Sequence, residues 1–196
     1  KNKSDQKKMT NIILEDIQRI DRLITDISFS SKLDADLVRV KFNEIDINKL
    51  LYNYIMIRLS NTDYKIKFQE LNYSLKVYGS ENKLVQVFDN ILDNSISIKG
   101  KNCKIKVKIF SEKNKIIIQF DDNGPGFPSN AINKVFERFY TDRINENEFG
   151  KHSGLGLSIS KQIISAHDGN IYVENLLNSS NTIIGARVNI ILNKIW

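Results

Sequence analysis

The sequence has a single cysteine, only two prolines and no long apolar run. With one cysteine, Cys103, the chain can form no internal disulfide, which fits a reducing compartment. Cys103 lies in a predicted strand, so we expect a buried side chain rather than a reactive thiol. No apolar stretch approaches the roughly 20 residues that a membrane span needs. The chain begins at Lys1 without a signal-peptide pattern, so we expect a piece of a longer protein whose membrane anchor, if any, lies outside it.

Basic residues outnumber acidic ones, but they do not cluster along the sequence. The net charge is +6, yet the lysines are scattered among acidic residues, and no basic run is interleaved with aromatic residues. The usual signature of a nucleic-acid-binding protein is therefore missing, and we expect no nucleic-acid partner. The proportions of 41% hydrophobic and 27% charged residues are typical of a protein with a buried core. A length of 196 residues suffices for one large domain, or for one domain with an appendage.

The first part of the chain is predicted to form one long helix. Residues 5–33 contain no glycine or proline, and isoleucines recur at alternating spacings of four and three at positions 13, 17, 20, 24 and 27. This repeat is typical of the contact seam of a coiled coil or four-helix bundle. We expect residues 1–36 to form a bundle helix that pairs with another copy or with upstream sequence. Packing against the chain's own globular part is the alternative.

From residue 37 onward, strand and helix patterns alternate. Apolar alternation predicts strands at 38–42, 65–71, 75–78, 103–110, 115–120, 170–175 and 182–192. Helices are predicted after a cap at Asp46 or Asn48, after a cap at Ser80, near 131–136, and at 154–166, ending at Asp168 and Gly169. The polar segment 140–152 has no periodicity and is predicted to be a mobile loop. This order indicates an α+β domain over residues 37–196, with a mixed sheet and helices on one face.

Two closely spaced glycine pairs stand out in a chain with only nine glycines. The first lies in DDNGPGF, residues 121–127, at the end of a predicted strand. Asp122 could accept a hydrogen bond from an exocyclic amine such as that of adenine. Gly124 and Gly126 would let the backbone turn under a base, because they have no Cβ. An ordinary Asn-Gly-Pro-Gly turn is the alternative.

The second pair, Gly154 and Gly156, opens a predicted helix in HSGLGLSIS, residues 152–160. Free N–H groups at a helix N-terminus favour phosphate, although a closely packed helix start is the alternative. Asn90 and Asn94 lie four residues apart on one face of an earlier predicted helix. Their amide oxygens suit Mg²⁺, but taken alone such a pair is usually just solvated. The sequence contains no GxxxxGK[ST] phosphate loop.

Taken in order, four segments resemble the nucleotide-binding boxes of sensor histidine kinases. NILDNS at 90–95 is similar to the N-box, DDNGPGF to the first glycine box, FERFY at 136–140 to the F-box, and SGLGLSISKQIISAHDG at 153–169 to the second glycine box. The opening helix resembles the second helix of that family's dimerisation and phosphotransfer domain. The segments RFYTDR and HSGLGLSISKQI are nearest to the alphaproteobacterial envelope and acid-sensing kinases.

The resemblance implies the Bergerat (GHKL) ATP-binding fold, with ATP between the N-box helix and a flexible lid. On that pattern Asp122 would bind the adenine amine, and Gly124 and Gly126 would line the base. Asn90 and Asn94 would hold Mg²⁺ and the phosphates, with Asn94 the more direct ligand. The lid would be anchored by Phe136 and Phe139. Further contacts to the nucleotide would come from the lid and the second glycine box, at Tyr140, Arg143, Ser153, Gly154, Leu155, Gly156 and Leu157.

The resemblance also implies a reaction and partners. In this family the γ-phosphoryl group of ATP moves to a histidine on the first bundle helix and then to an aspartate of a response-regulator receiver domain. The chain would act on the phosphoacceptor helix of the same protein and form a homodimer through residues 5–33. It would be the cytoplasmic domain of a protein in the bacterial inner membrane. The phosphoacceptor histidine and its acidic neighbour are absent, so we expect the chain to bind Mg·ATP without phosphorylating itself.

The sequence departs from the family pattern elsewhere as well. Ser97 and Ile98 stand where a lysine and an aromatic residue usually follow the N-box, so a charge near the phosphates is missing. Ser80 stands where an acidic residue is common. The two histidines, His152 and His167, match no phosphoacceptor pattern and are expected to be structural.

Three other interpretations remain open. An ATP hydrolase of the gyrase, Hsp90 or MutL type would carry a glutamate base at the position of Asn90, and an amide cannot take up that proton. An anti-sigma serine kinase shares the boxes but lacks a long bundle helix before them. A degenerate kinase that serves only as a docking or dimerisation module is suggested by Ser97 and Ile98. Weak or Mg²⁺-independent ATP binding would distinguish this last case.

Overall fold

The computed structural model describes Ile17 and residues 40–60, 65–69, 71–129, 131–140 and 154–195. By its contacts the chain divides into two compact units, Lys1–Val40 and Lys41–Trp196. In the first unit, Ile17 lies in a helix. The rest of the predicted long helix and of its isoleucine seam lies outside the described residues. Dimerisation through residues 5–33 therefore stays a prediction.

A mixed sheet forms the centre of the second unit. The strands are β1 (Asn43–Asp46), β2 (Lys65–Gln69), β3 (Lys76–Gly79), β4 (Lys104–Glu112), β5 (Lys115–Asp122), β6 (Asn170–Leu177) and β7 (Ile183–Asn193). Five of them are hydrogen-bonded in the order β2-β4-β5-β7-β6, while β1 and β3 form a separate pair. β2 runs parallel to β4, and the other neighbours are antiparallel. The mixed sheet confirms the predicted α+β class.

Strand β1 begins later than predicted. Val38 lies outside the described residues, and residues 40–42 are not in a strand. Instead of alternating along a strand, Phe42 stacks on the ring of His167, with 4.5 Å between ring centroids. It also meets the ring of Tyr78 edge-on at 6.0 Å. The side chain of Phe42 is therefore half-buried because it packs on His167 and Tyr78, although it precedes β1. An apolar residue buried in this way looks the same in the sequence as one buried in a strand.

Three helices accompany the sheet: α1 (Ile47–Ser60), α2 (Glu81–Lys99) and α3 (Gly156–Ala166), with a 3₁₀ turn at Gly100–Asn102 after α2. Asp46 caps α1 as predicted, because its Oδ1 accepts the N–H groups of Asn48 and Lys49 at 3.1 and 3.2 Å. Ser80 does occupy the N-cap position of α2, but its side chain makes no capping bond. The predicted start of the helix at Ser80 is confirmed, without a capping bond from its side chain. The backbone N–H of Ser80 is fixed in another way, by donating to His167 Nε2 at 3.0 Å.

The helix predicted near 131–136 is wrong, because this segment forms a series of turns. Lys134 and Glu137 donate to carbonyls three residues back, and only Val135 donates four residues back, to Ala131. Phe139 has φ 58° and donates its N–H to the carbonyl of Gly154 at 3.1 Å instead of to a preceding turn. This long-range bond draws the chain out of a helical path, and its partner is 15 residues away in sequence.

One face of the sheet and the helices enclose the core. In β4 and β5 the buried side chains are Ile105, Val107, Ile109, Ile116, Ile118 and Phe120. The ring of Phe88 on α2 lies 5.8 Å from that of Phe120 and 5.5 Å from that of Tyr54 on α1, which joins helices and sheet. The side chain of Cys103 is buried, as expected. None of the helices within the described residues is long and apolar enough to span a membrane.

Candidate nucleotide-binding site

Asp122, the last residue of β5, has a carboxylate held by three donors. Its Oδ1 accepts the N–H groups of Gly124 at 2.7 Å and Ala186 at 3.3 Å. Its Oδ2 accepts the hydroxyl of Ser95 on α2 at 3.0 Å. These bonds fix the orientation of the half-buried carboxylate and leave acceptor capacity on Oδ2, since a carboxylate oxygen can accept about two hydrogen bonds. The carboxylate can therefore bind an amine of a ligand.

Ser95 is a residue that the sequence analysis missed. It is buried, and its hydroxyl lies between Asp122 Oδ2 and the carbonyl of Ile91, 3.2 Å away. One hydroxyl proton serves only one acceptor at a time, so Ser95 can act toward Asp122 as donor or as acceptor. Its position directly after Asn94 was the only available signal, because the contact with Asp122 joins residues 27 apart.

The first glycine pair is required by the protein's own packing. Gly126 has φ +78°, and a Cβ there would lie 2.6 Å from Asn175 Oδ1 and against Ile183. A Cβ on Gly124 would lie 2.7 Å from Asp122 Oδ1. The backbone does turn sharply here, as expected. The atoms that exclude a Cβ, however, belong to neighbouring side chains, so these glycines by themselves do not demonstrate a bound base.

Asn90 and Asn94 are both half-buried on α2. Asn90 Nδ2 donates to the carbonyl of Gly156 at 3.0 Å and lies 3.3 Å from the hydroxyl of Ser160. This ties α2 to the start of α3 and leaves Asn90 Oδ1 unused by these bonds. Hard neutral oxygens such as these suit Mg²⁺ when phosphates complete its shell. The described residues contain no cluster of three or more histidine, cysteine, aspartate or glutamate side chains that would favour another metal.

The second glycine pair lies where three predicted boxes meet. Gly154 has φ +67°, and a Cβ there would lie 2.8 Å from the backbone of Phe139 at the end of the F-box. A Cβ on Gly156 would lie 3.6 Å from Asn90, which is ordinary contact, so the fold does not demand glycine at 156. Leu155 is buried, and Leu157 lies in the first turn of α3, where N–H groups lack helical partners. The first turn of α3 can thus donate to phosphate.

The F-box residues lie against α3. The ammonium group of Lys161 is 5.6 Å from the ring centroid of Phe136, and Phe136, Phe139 and Tyr140 are all half-buried. Ser97, at the position of the missing lysine, donates its hydroxyl to the carbonyl of Asn94 at 2.7 Å. Arg143, Ser153 and His152 lie outside the described residues, as does the predicted lid after Tyr140.

His167 has the structural role that was expected. It is buried after α3, its Nδ1 donates to the carbonyl of Ile163 at 2.7 Å, and its Nε2 accepts the N–H of Ser80 at 3.0 Å. These two bonds require the neutral ring with its proton on Nδ1. Burial lowers the pKa of His167 below its ordinary 6.5. The histidine joins the end of α3 to the start of α2.

Comparison with known proteins decides the family. The profile of the histidine kinase-, DNA gyrase B- and HSP90-like ATPases matches residues 79–194. The chain belongs to this family. The match begins just before α2 and includes Asn90, Asp122 and both glycine pairs.

The most similar relatives include sensor kinases. The sensor protein ChvG of Rhizobium meliloti is 37% identical over 197 residues, which are 95% of this chain and 34% of that protein. The sensor protein kinase WalK of Staphylococcus saprophyticus is 30% identical over 171 residues, covering 85% of this chain and 28% of that protein. The chain therefore spans about a third of the length of these relatives. They confirm the predicted resemblance to sensor histidine kinases.

Solved structures agree with the fold. The nucleotide-free catalytic domain of histidine kinase ThkA gives a TM-score of 0.65 at 27% identity and covers 79% of this chain and 99% of that chain. ThkA solved in complex with the response regulator protein TrrA gives 0.66 at 26% identity, covering 100% of this chain and 53% of that chain. The predicted Bergerat fold is confirmed by the mixed sheet, the family match and these likenesses.

Proposed function

We propose that the chain binds Mg·ATP and is the catalytic part of a sensor histidine kinase. The observation that carries this is Asp122, whose carboxylate is fixed by Gly124, Ala186 and Ser95 and keeps acceptor capacity on Oδ2. A carboxylate so oriented discriminates in favour of a 6-amino purine, because an exocyclic amine donates to it and a 6-oxo group does not.

Each part of the site has a task in this proposal. Asp122 binds the adenine amine, with Gly124 and Gly126 in the turn beside the base. The segment that leads into α3, Gly154 and Leu155, and the first helical residues, Gly156 and Leu157, donate to the phosphates. Phe136 and Phe139 are the proposed apolar anchor of the lid, and Tyr140, Arg143 and Ser153 are its proposed contacts to the nucleotide. A lid fits this chemistry, since the site must exclude water and still present the γ-phosphate to another helix.

The amide oxygens of Asn90 and Asn94 are the proposed protein ligands of Mg²⁺. When bound, the ion would neutralise part of the phosphate charge. Asn90 is held toward this place by its bonds to Gly156 and Ser160. In phosphoryl transfer the protein chiefly positions the reacting groups and stabilises charge. The amide oxygens of the two asparagines and the backbone N–H groups at the start of α3 can do this.

The proposed phosphoacceptor is a histidine on a helix of the same protein outside this chain, followed by an aspartate of a response-regulator receiver domain. The TrrA complex of ThkA supports a partner of that kind. The chain would dimerise through residues 5–33. We place it on the cytoplasmic side of a membrane-anchored protein, on the basis of its sensor-kinase relatives.

Calorimetric titration of ATP and ADP, with and without Mg²⁺, tests the proposal. We expect micromolar binding that weakens when Mg²⁺ is removed. Incubation with γ-labelled ATP should leave no stable label on the chain, whereas a protein that also includes the phosphoacceptor helix should become labelled. No binding in either condition would refute the ATP site and favour a docking module. Sustained release of phosphate would favour a hydrolase.

A further inference from the structure

The segment that follows Asp122 is held at its far end by one side chain of a distant strand. We define residues 123–127 as the glycine loop. At its end, the N–H of Phe127 donates to Asn175 Oδ1 at 2.7 Å, and Asn175 Nδ2 donates to the carbonyl of Phe127 at 2.7 Å. The amide of Asn175, on β6, thus pairs with both polar groups of one residue as a neighbouring strand would.

Within the described part of the chain, few other hydrogen bonds fix the loop. Asn123 holds its first residue to the start of β4, where its side chain accepts the N–H of Lys104 at 2.9 Å and donates to the carbonyl of Asn102 at 3.2 Å. Gly124 donates to Asp122 Oδ1. Pro125 has no N–H to donate. The backbone from Gly124 to Phe127 therefore depends chiefly on Asp122 at one end and Asn175 at the other.

The two ends are coupled through β7. Asn175 pairs with Ala186 across β6 and β7, and the N–H of Ala186 donates to Asp122 Oδ1 at 3.3 Å. The loop crosses from β5 to β6, two strand spacings or about 10 Å. Gly126 lies so close to Asn175 Oδ1 that a Cβ would be only 2.6 Å away. The position of the Asn175 amide therefore requires a residue without a Cβ at 126.

We propose that Asn175 is a positioning residue of the nucleotide site, whose amide holds the glycine loop in the shape that binds the purine. This inference rests on the proposed function, because it concerns the same site. Asn175 acts through Phe127 and Gly126, by reducing the freedom of the loop before the nucleotide arrives.

The test is Asn175→Asp, measured by calorimetric titration of Mg·ATP between pH 5 and 8. At pH 8 the carboxylate keeps the bond from the Phe127 N–H but faces the Phe127 carbonyl without a proton to donate. We expect ATP affinity to fall by a factor between about 5 and 100, as for a buried acceptor left unpaired. As pH falls, a protonated carboxyl regains one donor and one acceptor, so the affinity should recover toward that of the parent chain at the same pH.

The described residues place four charged groups where they can influence this titration. Asp122 is linked to Asn175 through Ala186, and its charge would raise the pKa of an aspartate placed at 175. Asp121, Glu174 and Arg187 belong to the opposite face of their strands, where Arg187 is paired with Asp121 at 2.5 Å and with Glu174 at 3.4 Å. Dividing the affinity of the variant by that of the parent chain at each pH removes the pH effects that are common to both chains.

Asn193→Asp is the matched control. Asn193 Nδ2 donates to the carbonyl of Asp168 at 2.9 Å, so the substitution also removes a donor to a backbone carbonyl. It lies opposite Lys115 at the start of β5, the end of the strand away from Asp122. We expect its ATP affinity to match that of the parent chain at every pH.

The outcomes are distinct. Failure of the parent chain to bind ATP would overturn the proposed function and, with it, this inference. Binding by the parent chain together with equal affinity in Asn175→Asp would overturn the positioning role alone. A lower affinity that does not recover at acid pH would also overturn it. Such a result would indicate a general loss of structure, which does not depend on protonation of the aspartate at 175. Should Asn175→Asp not unfold cooperatively by circular dichroism, Asn175→Ser replaces it, with a loss of affinity expected at every pH because its shorter side chain does not reach both polar groups of Phe127; equal affinity would overturn the positioning role.

Discussion

Replacing Asp122 by asparagine should change which purine the chain binds while leaving the fold intact. In the Asp122→Asn variant, the amide oxygen can keep the bonds from the N–H groups of Gly124 and Ala186. The new NH₂ group would face the Ser95 hydroxyl, which can accept from it and donate instead to the carbonyl of Ile91, 3.2 Å away. Each of these polar groups then has a partner, so we expect the free energy of unfolding to change by less than about 1 kcal/mol.

The ligand experiences a larger change. The adenine amine would lose a hydrogen bond to a charged acceptor, which contributes about 1.5–3 kcal/mol, and ATP should bind roughly 10- to 150-fold more weakly. The amide NH₂ can instead donate to a 6-oxo group. Inosine triphosphate, which differs from ATP at that position, should therefore gain affinity relative to ATP.

Calorimetric titration of both nucleotides into the parent chain and Asp122→Asn, with urea unfolding of each, separates the two effects. We expect Asp122→Asn to show a reversed or strongly reduced preference for ATP over inosine triphosphate at a nearly unchanged free energy of unfolding. An ATP affinity within about threefold of the parent value would refute the assignment of Asp122 to the base, because one lost bond to a charged acceptor should exceed that factor. A loss of several kcal/mol in stability would show instead that Ser95 does not exchange its hydrogen bonds as proposed.

Further predictions concern His167 and the two glycines Gly126 and Gly156. Burial lowers the pKa of His167 in the folded chain below 6.5, so the unfolded chain takes up a proton at this residue first as the pH falls. The contribution of neutral His167 to the free energy of unfolding is therefore present above about pH 6.5. It should be lost progressively between that pH and the lower pKa of the folded chain. Urea unfolding from pH 8 to pH 5 should show this slope, and His167→Gln should show less of it; parallel curves would contradict the role assigned to the bond from Ser80. Gly126→Ala should lower the unfolding free energy by about 1–3 kcal/mol, because φ is +78° and a Cβ would lie against Ile183. Gly156→Ala should leave stability unchanged or slightly raised but weaken ATP binding; equal effects of the two glycine variants on stability would contradict this distinction.

The elements most accurately predicted from sequence were those with a complete local signal. β4 alternates lysine with an apolar residue from Lys104 to Ile109, β5 is a short and mostly apolar run, and α2 carries its apolar residues at helical spacing, so period and length sufficed. Asp46 was identified as a cap because the capping bonds lie within three residues. The segment 131–136 was predicted wrongly because its conformation depends on the bond from Phe139 to Gly154.

The site divides in the same way. The sequence predicts Asn90, Asp122 and the two glycine pairs as candidate site residues, because their residue types, order and resemblance to a family point to one ligand. The hydrogen-bond partners of these residues could not be predicted from the sequence. The hydroxyl of Ser95 reaches Asp122 across 27 residues, and the amide of Asn175 reaches Phe127 across 48.

The sequence by itself determined the residue types that can bind a purine, a phosphate and a magnesium ion, and the local periods that make them strand ends and helix starts. Only the tertiary structure decided which atoms of those residues remain available. Oδ1 of Asp122 is occupied by backbone donors while Oδ2 keeps capacity, and a Cβ at Gly126 would meet the side chains of Asn175 and Ile183. The reason is physical: hydrogen bonds and steric exclusion act over about 3 Å, and which atoms come that close is set by the packing of strands and helices distant in sequence.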